Sequence, residues 1–217
     1  RMTALTYQKD ARAYRFSLPN EIWGLKLPPP AFSILAYLCY LHTHCKSFIV
    51  PGADEIASQL RMSRDMAAEQ IAELNRRGLL DQHMAPVFKN TSKNFFSLPN
   101  ELFFLNIGHG VITVYAYLLY CEDRRTHQCH PSYRTIGKAV QLSENTVRKY
   151  VAGLEEKGLI HTEPSTITTK DGRVRNGSLI YTIRPIQEAL ELNYQRQFLR
   201  AERDIERAKA EKRLAEL

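Results

Sequence analysis

The chain has 217 residues, 44% of them hydrophobic and 24% charged, with a formal net charge of +7. That length supports one large domain or two small ones, and the composition excludes an intrinsically disordered polymer. No apolar run reaches the ~18–20 residues of a membrane span, the first residues lack a charged-then-apolar leader, and four cysteines are too few for a disulfide scaffold. A soluble, cytoplasmic protein with reduced thiols is expected. The cationic excess suggests an anionic partner. It lies in residues 1–90 (11 basic, 8 acidic) and 91–184 (12 and 8), whereas 185–217 is balanced at 7 and 7.

The chain is an internal duplication. FSLPNE occurs at Phe16–Glu21 and again at Phe96–Glu101, and the same offset aligns Ala36-Tyr37-Leu38 with Ala116-Tyr117-Leu118, Pro51 with Pro131, Ser63 with Ser143 and Gly78-Leu79 with Gly158-Leu159. Each copy predicts, in order, a short extended entry, an apolar helix (31–42 and 110–122), and a polar loop ending at a proline suited to a helix start. A short helix (54–60 and 134–140) then leads to a serine N-cap at Ser63 or Ser143. A longer helix follows and stops at the left-handed C-terminal glycine, Gly78 or Gly158. In the second copy two β-rich stretches, 160–169 and 179–183, flank the hairpin signals Asp171-Gly172 and Asn176-Gly177. The first copy's hairpin is expected to be shorter, near 79–86 and 93–97, with its return strand merging into the second entry.

Three helices and a hairpin make a winged helix-turn-helix. The expected fold class is therefore mainly α with small β-hairpins (α+β): two tandem winged helix domains plus a C-terminal helix. The expected divisions are an extension at 1–13, winged helix domains at 14–93 and 94–185, and a helical tail at 186–217. The stretch Pro131–Ile136, followed by Ser143–Arg148 and LEEKGLI at 154–160, resembles the GntR-type winged helix. The tandem layout, with its FFSLPNELF entry and YAYLLY helix, is similar to the helix-turn-helix region of plasmid and mobile-element replication initiators. The first resemblance implies family contact positions at Arg134, Ser143, Asn145 and Arg148. Glu144 departs from the basic residue often found at its place.

Projected at 100° per residue, the helix after Ser143 turns Val147, Tyr150, Val151 and Leu154 to the core. Asn145, Lys149, Ala152 and Glu156 face away, with Thr146 and Arg148 on the flanks. Asn can bond adenine and Arg or Lys guanine in the major groove. Lys138 adds charge to the preceding helix, and Lys170, Arg173 and Arg175 make the hairpin tip basic, suited to phosphates or a narrow minor groove. The candidate DNA-binding set is thus Arg134, Lys138, Ser143, Asn145, Thr146, Arg148, Lys149, Lys170, Arg173 and Arg175. In the first copy the corresponding face carries Asp65, Glu69, Ala72 and Arg76, with Asp54 in place of Arg134. Phosphates repel such a face, so this copy is expected not to read DNA, although Arg61, Arg64, Arg76 and Arg77 could touch the backbone.

Cys39-x2-His42-x-His44-Cys45 and Cys121-x5-His127-x-Cys129-His130 carry metal-ligand residue types at spacings that match no common structural zinc motif, so no metal or cofactor is expected. No phosphate loop, HExxH or serine elbow is present, and no enzyme activity is expected. The tail places Tyr194, Phe198, Ala201, Ile205, Ala208 and Ala215 on one seam, interrupted by Lys212, which suits a homodimer. Only 33 residues follow Arg184, too few for the ligand-sensing domain of GntR regulators, so no small-molecule ligand is expected. The reading is a sequence-specific double-stranded DNA binder, either a transcription regulator or a plasmid or mobile-element replication initiator. The rival is a winged-helix protein-interaction module that binds no DNA.

Overall fold

The computed structural model describes residues 14–44, 49–88 and 93–216; the expected N-terminal extension and Cys45 lie outside them. The first repeat contributes β1 (Arg15–Pro19), a 3-10 turn (Asn20–Leu25), and helices α1 (Pro29–His44), α2 (Ala53–Leu60) and α3 (Arg64–Arg76). The second contributes β2 (Phe95–Pro99), a 3-10 turn (Asn100–Phe104), α4 (His109–Cys121), β3 (Gln128–Cys129), α5 (Tyr133–Val140) and α6 (Glu144–Glu156). Strands β4 (Ile160–Glu163), β5 (Thr166–Thr168), β6 (Val174–Asn176) and β7 (Ile180–Ile183) follow, and α7 (Ile186–Ala215) completes the described chain. No helix among the described residues is long and apolar enough to cross a membrane.

The two copies of FSLP pair with each other. Strands β1 and β2 form an antiparallel ladder in which Ser17 faces Ser97, Phe16 faces Leu98 and Leu18 faces Phe96. Equivalent residues therefore meet at the centre, the signature of a local two-fold axis within one chain. Two backbone bonds extend the ladder symmetrically, Asn20 N to Asn94 O (3.0 Å) and Asn100 N to Tyr14 O (2.9 Å). On the same axis α1 packs against α4, where the buried hydroxyls of Ser33 and Thr113 lie 3.3 Å apart. Both also donate to the His109 carbonyl, at 2.9 and 2.8 Å. Each of these helices is apolar on nearly every side, as a central helix must be.

Aromatic rings repeat the symmetry. Trp23 and Phe103 occupy equivalent places, and each reaches across to the other repeat: Trp23 to Phe96 (5.7 Å between centroids) and Tyr117 (5.1 Å), Phe103 to Phe16 (5.7 Å) and Tyr37 (5.1 Å). The buried side chains of both repeats form one continuous cluster.

Several expectations are corrected. The prolines at 51 and 131 do not begin helices. Gly52 and Ser132 are the N-caps, and the Ser132 hydroxyl accepts from Thr135 N at 3.1 Å, so the cap displaces proline outward by one position. Asn176-Gly177 is not a turn. Residues 174–176 form a strand, and Gly177 sits at the neck of the hairpin, where an added Cβ would lie 2.6 Å from Ser165 Oγ. The return strand expected in the first repeat is absent: Phe95–Pro99 pairs with β1, leaving only a bridge between Leu80 and Pro86 among the described residues. The left-handed C-caps are as expected, with Gly78 at φ 67° and Gly158 at φ 75°.

Because Trp23 spans the junction, Trp23→Ala should cost about 3–5 kcal/mol of unfolding free energy. A urea titration monitored by circular dichroism measures this. A loss below about 1 kcal/mol would mean that the junction is not a cooperative part of the core.

Candidate nucleic-acid interface

Helices α5 and α6 make the helix-turn-helix. A left-handed Gln141 (φ 60°) and the bond from Leu142 N to Gly137 O (3.0 Å) close the turn between them. Gly137 is required there because a Cβ would lie 2.5 Å from the Leu142 carbonyl oxygen. Ile136, Val140, Val147, Val151 and Leu154 are buried, which fixes the roll of both helices. Gly110 admits the second helix to α4, since a Cβ at that position would sit 2.3 Å from the Tyr150 ring.

That roll leaves Asn145, Arg148, Lys149, Ala152 and Glu156 exposed on α6, with Arg134 and Lys138 exposed on α5. The sequence projection and the packing agree on every one of these faces. Ser143 and Thr146 act locally, at the start of α6. The Ser143 hydroxyl accepts from Thr146 N at 3.2 Å and lies 2.9 Å from Thr146 Oγ1. The Arg148 guanidinium rests 5.4 Å from the centroid of Tyr133, which holds the charge over α5 while its N–H edges remain available. Tyr133 and its role had no signal in the sequence beyond its place at a helix start.

The wing is a hairpin in two stages. Near its root, β7 lies between β3 and β4, with Thr162 opposite Tyr181. Pro164 ends the first stage because it has no N–H for a ladder. Beyond it β5 pairs with β6, and the tip turns at Gly172 (φ 80°) with a bond from Thr169 N to Arg173 O of 2.8 Å. Lys170, Arg173 and Arg175 are all exposed there. Glu155, which the sequence did not single out, joins α6 to the wing by accepting from Thr162 N (3.0 Å) and Thr162 Oγ1. None of Arg134, Lys138, Arg148, Lys149, Lys170, Arg173 and Arg175 has an ion-pair partner among the described residues.

The first repeat differs. Its four candidate cations are engaged internally: Arg61 donates to the Asn106 carbonyl (2.8 Å), Arg64 pairs with Asp54 (3.0 Å), Arg76 pairs with Glu73, and Arg77 donates to the Leu25 carbonyl (2.6 Å). Arg76 also holds the Glu73 carboxyl below its ordinary value, chiefly by a hydrogen bond. Asp65 and Glu69 are exposed on α3. The tip of the short hairpin is built around Asp81, which accepts from His83 N (2.7 Å) and Ala85 N (2.9 Å) and carries no lysine or arginine.

The described members of the cysteine–histidine clusters do not gather into a metal site, and Cys45 lies outside the described residues. Burial pushes the Cys39 and Cys129 thiols up to about 12, and Cys129 contacts the Leu118 carbonyl at 3.6 Å. Among the described residues no group of three or more His, Cys, Asp or Glu could hold a metal ion.

Residues 105–160, which run from the start of the second repeat's helical core to the first wing strand, match the helix-turn-helix domain family. No curated protein matches the chain. A solved structure described as "Possible transcriptional regulator from Methanosarcina mazei Go1" is similar at 21% identity, covering 48% of this chain and 80% of that one, with a TM-score of 0.33.

The Ser143 cap is the local element on which the orientation of Asn145 depends. Ser143→Ala should lower unfolding stability by about 1 kcal/mol, while Ser143→Asp should retain most of it. Paired urea titrations measure both, and an unchanged Ser143→Ala protein would remove the capping role.

Proposed function

We propose that this chain binds double-stranded DNA sequence-specifically through its second repeat. In this reading α6 lies in the major groove, with Asn145, Arg148 and Lys149 toward base edges. Arg134 and Lys138 hold the backbone, Ser143 and Thr146 present the start of the helix, and Lys170, Arg173 and Arg175 carry the wing to phosphates or the minor groove. The observation that carries the reading is the electrostatic contrast between the repeats. The cations on α5, α6 and the wing are exposed and have no ion-pair partner among the described residues, whereas two of the four around α3, Arg64 and Arg76, are paired with carboxylates. The cellular role we propose is transcription regulation or replication initiation. A genome-wide map of bound sites separates the two, since an origin gives one cluster and promoters give scattered sites.

Two measurements test the reading against a protein-interaction module. If Arg134, Lys138, Lys170, Arg173 and Arg175 each neutralise a phosphate, log K should fall with log salt at a slope of roughly −4 to −5. Lys149→Ala should weaken binding about five- to tenfold, while Glu69→Ala changes it by less than about twofold. A flat salt response refutes DNA as the partner, and equal losses in the two variants refute the assignment to the second repeat.

We also infer that a second copy of this chain covers α7. Ile186 and Ala189 dock the first turn, but Tyr194, Phe198 and Ile205 are 72%, 58% and 55% exposed. Together with Ala201, Ala208 and Ala215 they follow the four-three spacing of a coiled-coil seam. In a parallel pair Asp204 of one copy would face Lys209 of the other across that seam. Ile205→Glu should turn a dimer into a monomer by sedimentation equilibrium. A parent chain that is monomeric at on the order of 100 μM would exclude the pairing.

A further inference from the structure

A cavity of about 810 Å³ lies where the two repeats meet, at the root of the wing. Its volume is within the range of small-molecule sites, which favour junctions between structural units. The floor is apolar, built from Phe95, Phe96, Tyr115, Leu119, Ile183 and Ile186. Tyr115 and Leu119 are buried side chains of α4, while Phe95 is 45% exposed at the mouth. Around this floor stand Arg15, Lys93, Arg124 and Arg184, against the one carboxylate of Glu122.

The charges do not cancel within the protein. Glu122 is engaged by His127 at 2.8 Å, and Arg184 by Glu188 at 2.8 Å. Arg15 is held in place by Ser97, through Oγ at 2.8 Å and the carbonyl at 2.9 Å, both neutral acceptors. Arg124 donates to the Phe95 carbonyl, at 3.4 Å and again a neutral acceptor. Neither they nor Lys93 has an ion-pair partner among the described residues. Three cations without an ion-pair partner, against the single Glu122 carboxylate, leave the rim net positive over an aromatic floor, which attracts an anion and buries a ring at the same time.

DNA bound as described above would not fill this space. Ile183, which lines the cavity, pairs with Ile160 just beyond the C-terminal end of α6. Asn145 stands at the other end of that helix, about 20 Å long, and the wing tip lies beyond the opposite end of β7. We propose that the cavity binds a small organic anion, an aromatic or aliphatic body carrying a carboxylate or phosphate, held by Arg15, Lys93 and Arg124 over Phe95 and Leu119. This goes beyond the DNA reading and does not rest on it. It also reverses the expectation that no small-molecule ligand is bound: that expectation concerned an appended sensing domain, whereas this site is made from the repeats themselves.

Phenyl phosphate is a suitable probe, with inorganic phosphate as the charge alone and benzyl alcohol as the ring alone. Trp23 is the only tryptophan in the chain and lies 5.7 Å from Phe96 in the floor, so its fluorescence reports occupancy alongside calorimetry. Phenyl phosphate should bind saturably at one site with a sub-millimolar Kd, and both controls should bind at least about tenfold more weakly. Arg124→Glu should raise the phenyl phosphate Kd about tenfold or more, and Arg124→Gln by a smaller factor. Both substitutions are at an exposed side chain, and unchanged thermal melting confirms the fold. Lys149→Ala should leave this Kd unchanged, which separates the site from the DNA-reading surface. No saturation by about 10 mM, equal binding of benzyl alcohol, or an unaltered Kd in Arg124→Glu each overturns the proposal.

Discussion

The rest of the architecture depends on the antiparallel pairing of the two FSLP segments. Strands β1 and β2 are five residues each, and a two-stranded ribbon of that length is marginal in water by itself. It is stable here because its inner face, Phe16, Leu18, Phe96 and Leu98, is buried between the repeats. The ladder sets the two-fold relation, and that relation brings Ser33 against Thr113 and sends Trp23 and Phe103 into each other's repeats. One core results where the sequence suggests two.

Within this symmetric frame the two repeats differ in electrostatics. Asp54 and Arg64 in the first repeat stand where Arg134 and Glu144 stand in the second. In the first the pair closes at 3.0 Å and its charges neutralise each other. An exposed pair of this kind contributes little to stability, so its main effect is to set a carboxylate beside the Arg64 cation. The two units are thus alike in backbone plan and different in what they offer an anion.

Much of this was legible in the sequence because it rests on short-range rules. Helical periodicity placed the buried and exposed faces of α6 residue by residue, and the serine caps and terminal glycines marked its ends. The positions misread were those decided by distant partners. The strand at Phe95–Pro99 looked like a return strand for the first repeat, but whether it pairs backward to residue 86 or to residue 15 depends on packing between repeats. Gly177 looked like a turn glycine, yet its lack of a side chain serves the approach of Ser165. The cavity had no local signature at all: Arg15, Arg124 and Ile183 come from three separate segments and converge only in the folded chain.

The ladder between β1 and β2 also sets an order of events. Its central residues are 80 apart, so the first strand emerges from the ribosome long before its partner exists. Until Phe95–Pro99 is made, the backbone edge of β1 has no partner strand, and its apolar side chains have only first-repeat contacts such as Phe16 with Tyr40. Contacts this remote in sequence are slow to form, and the waiting segment is open to wrong partners, including the same segment of a neighbouring nascent chain. A duplicated sequence that completes its own dimer thereby accepts a synthesis-dependent risk of exchanging strands between molecules.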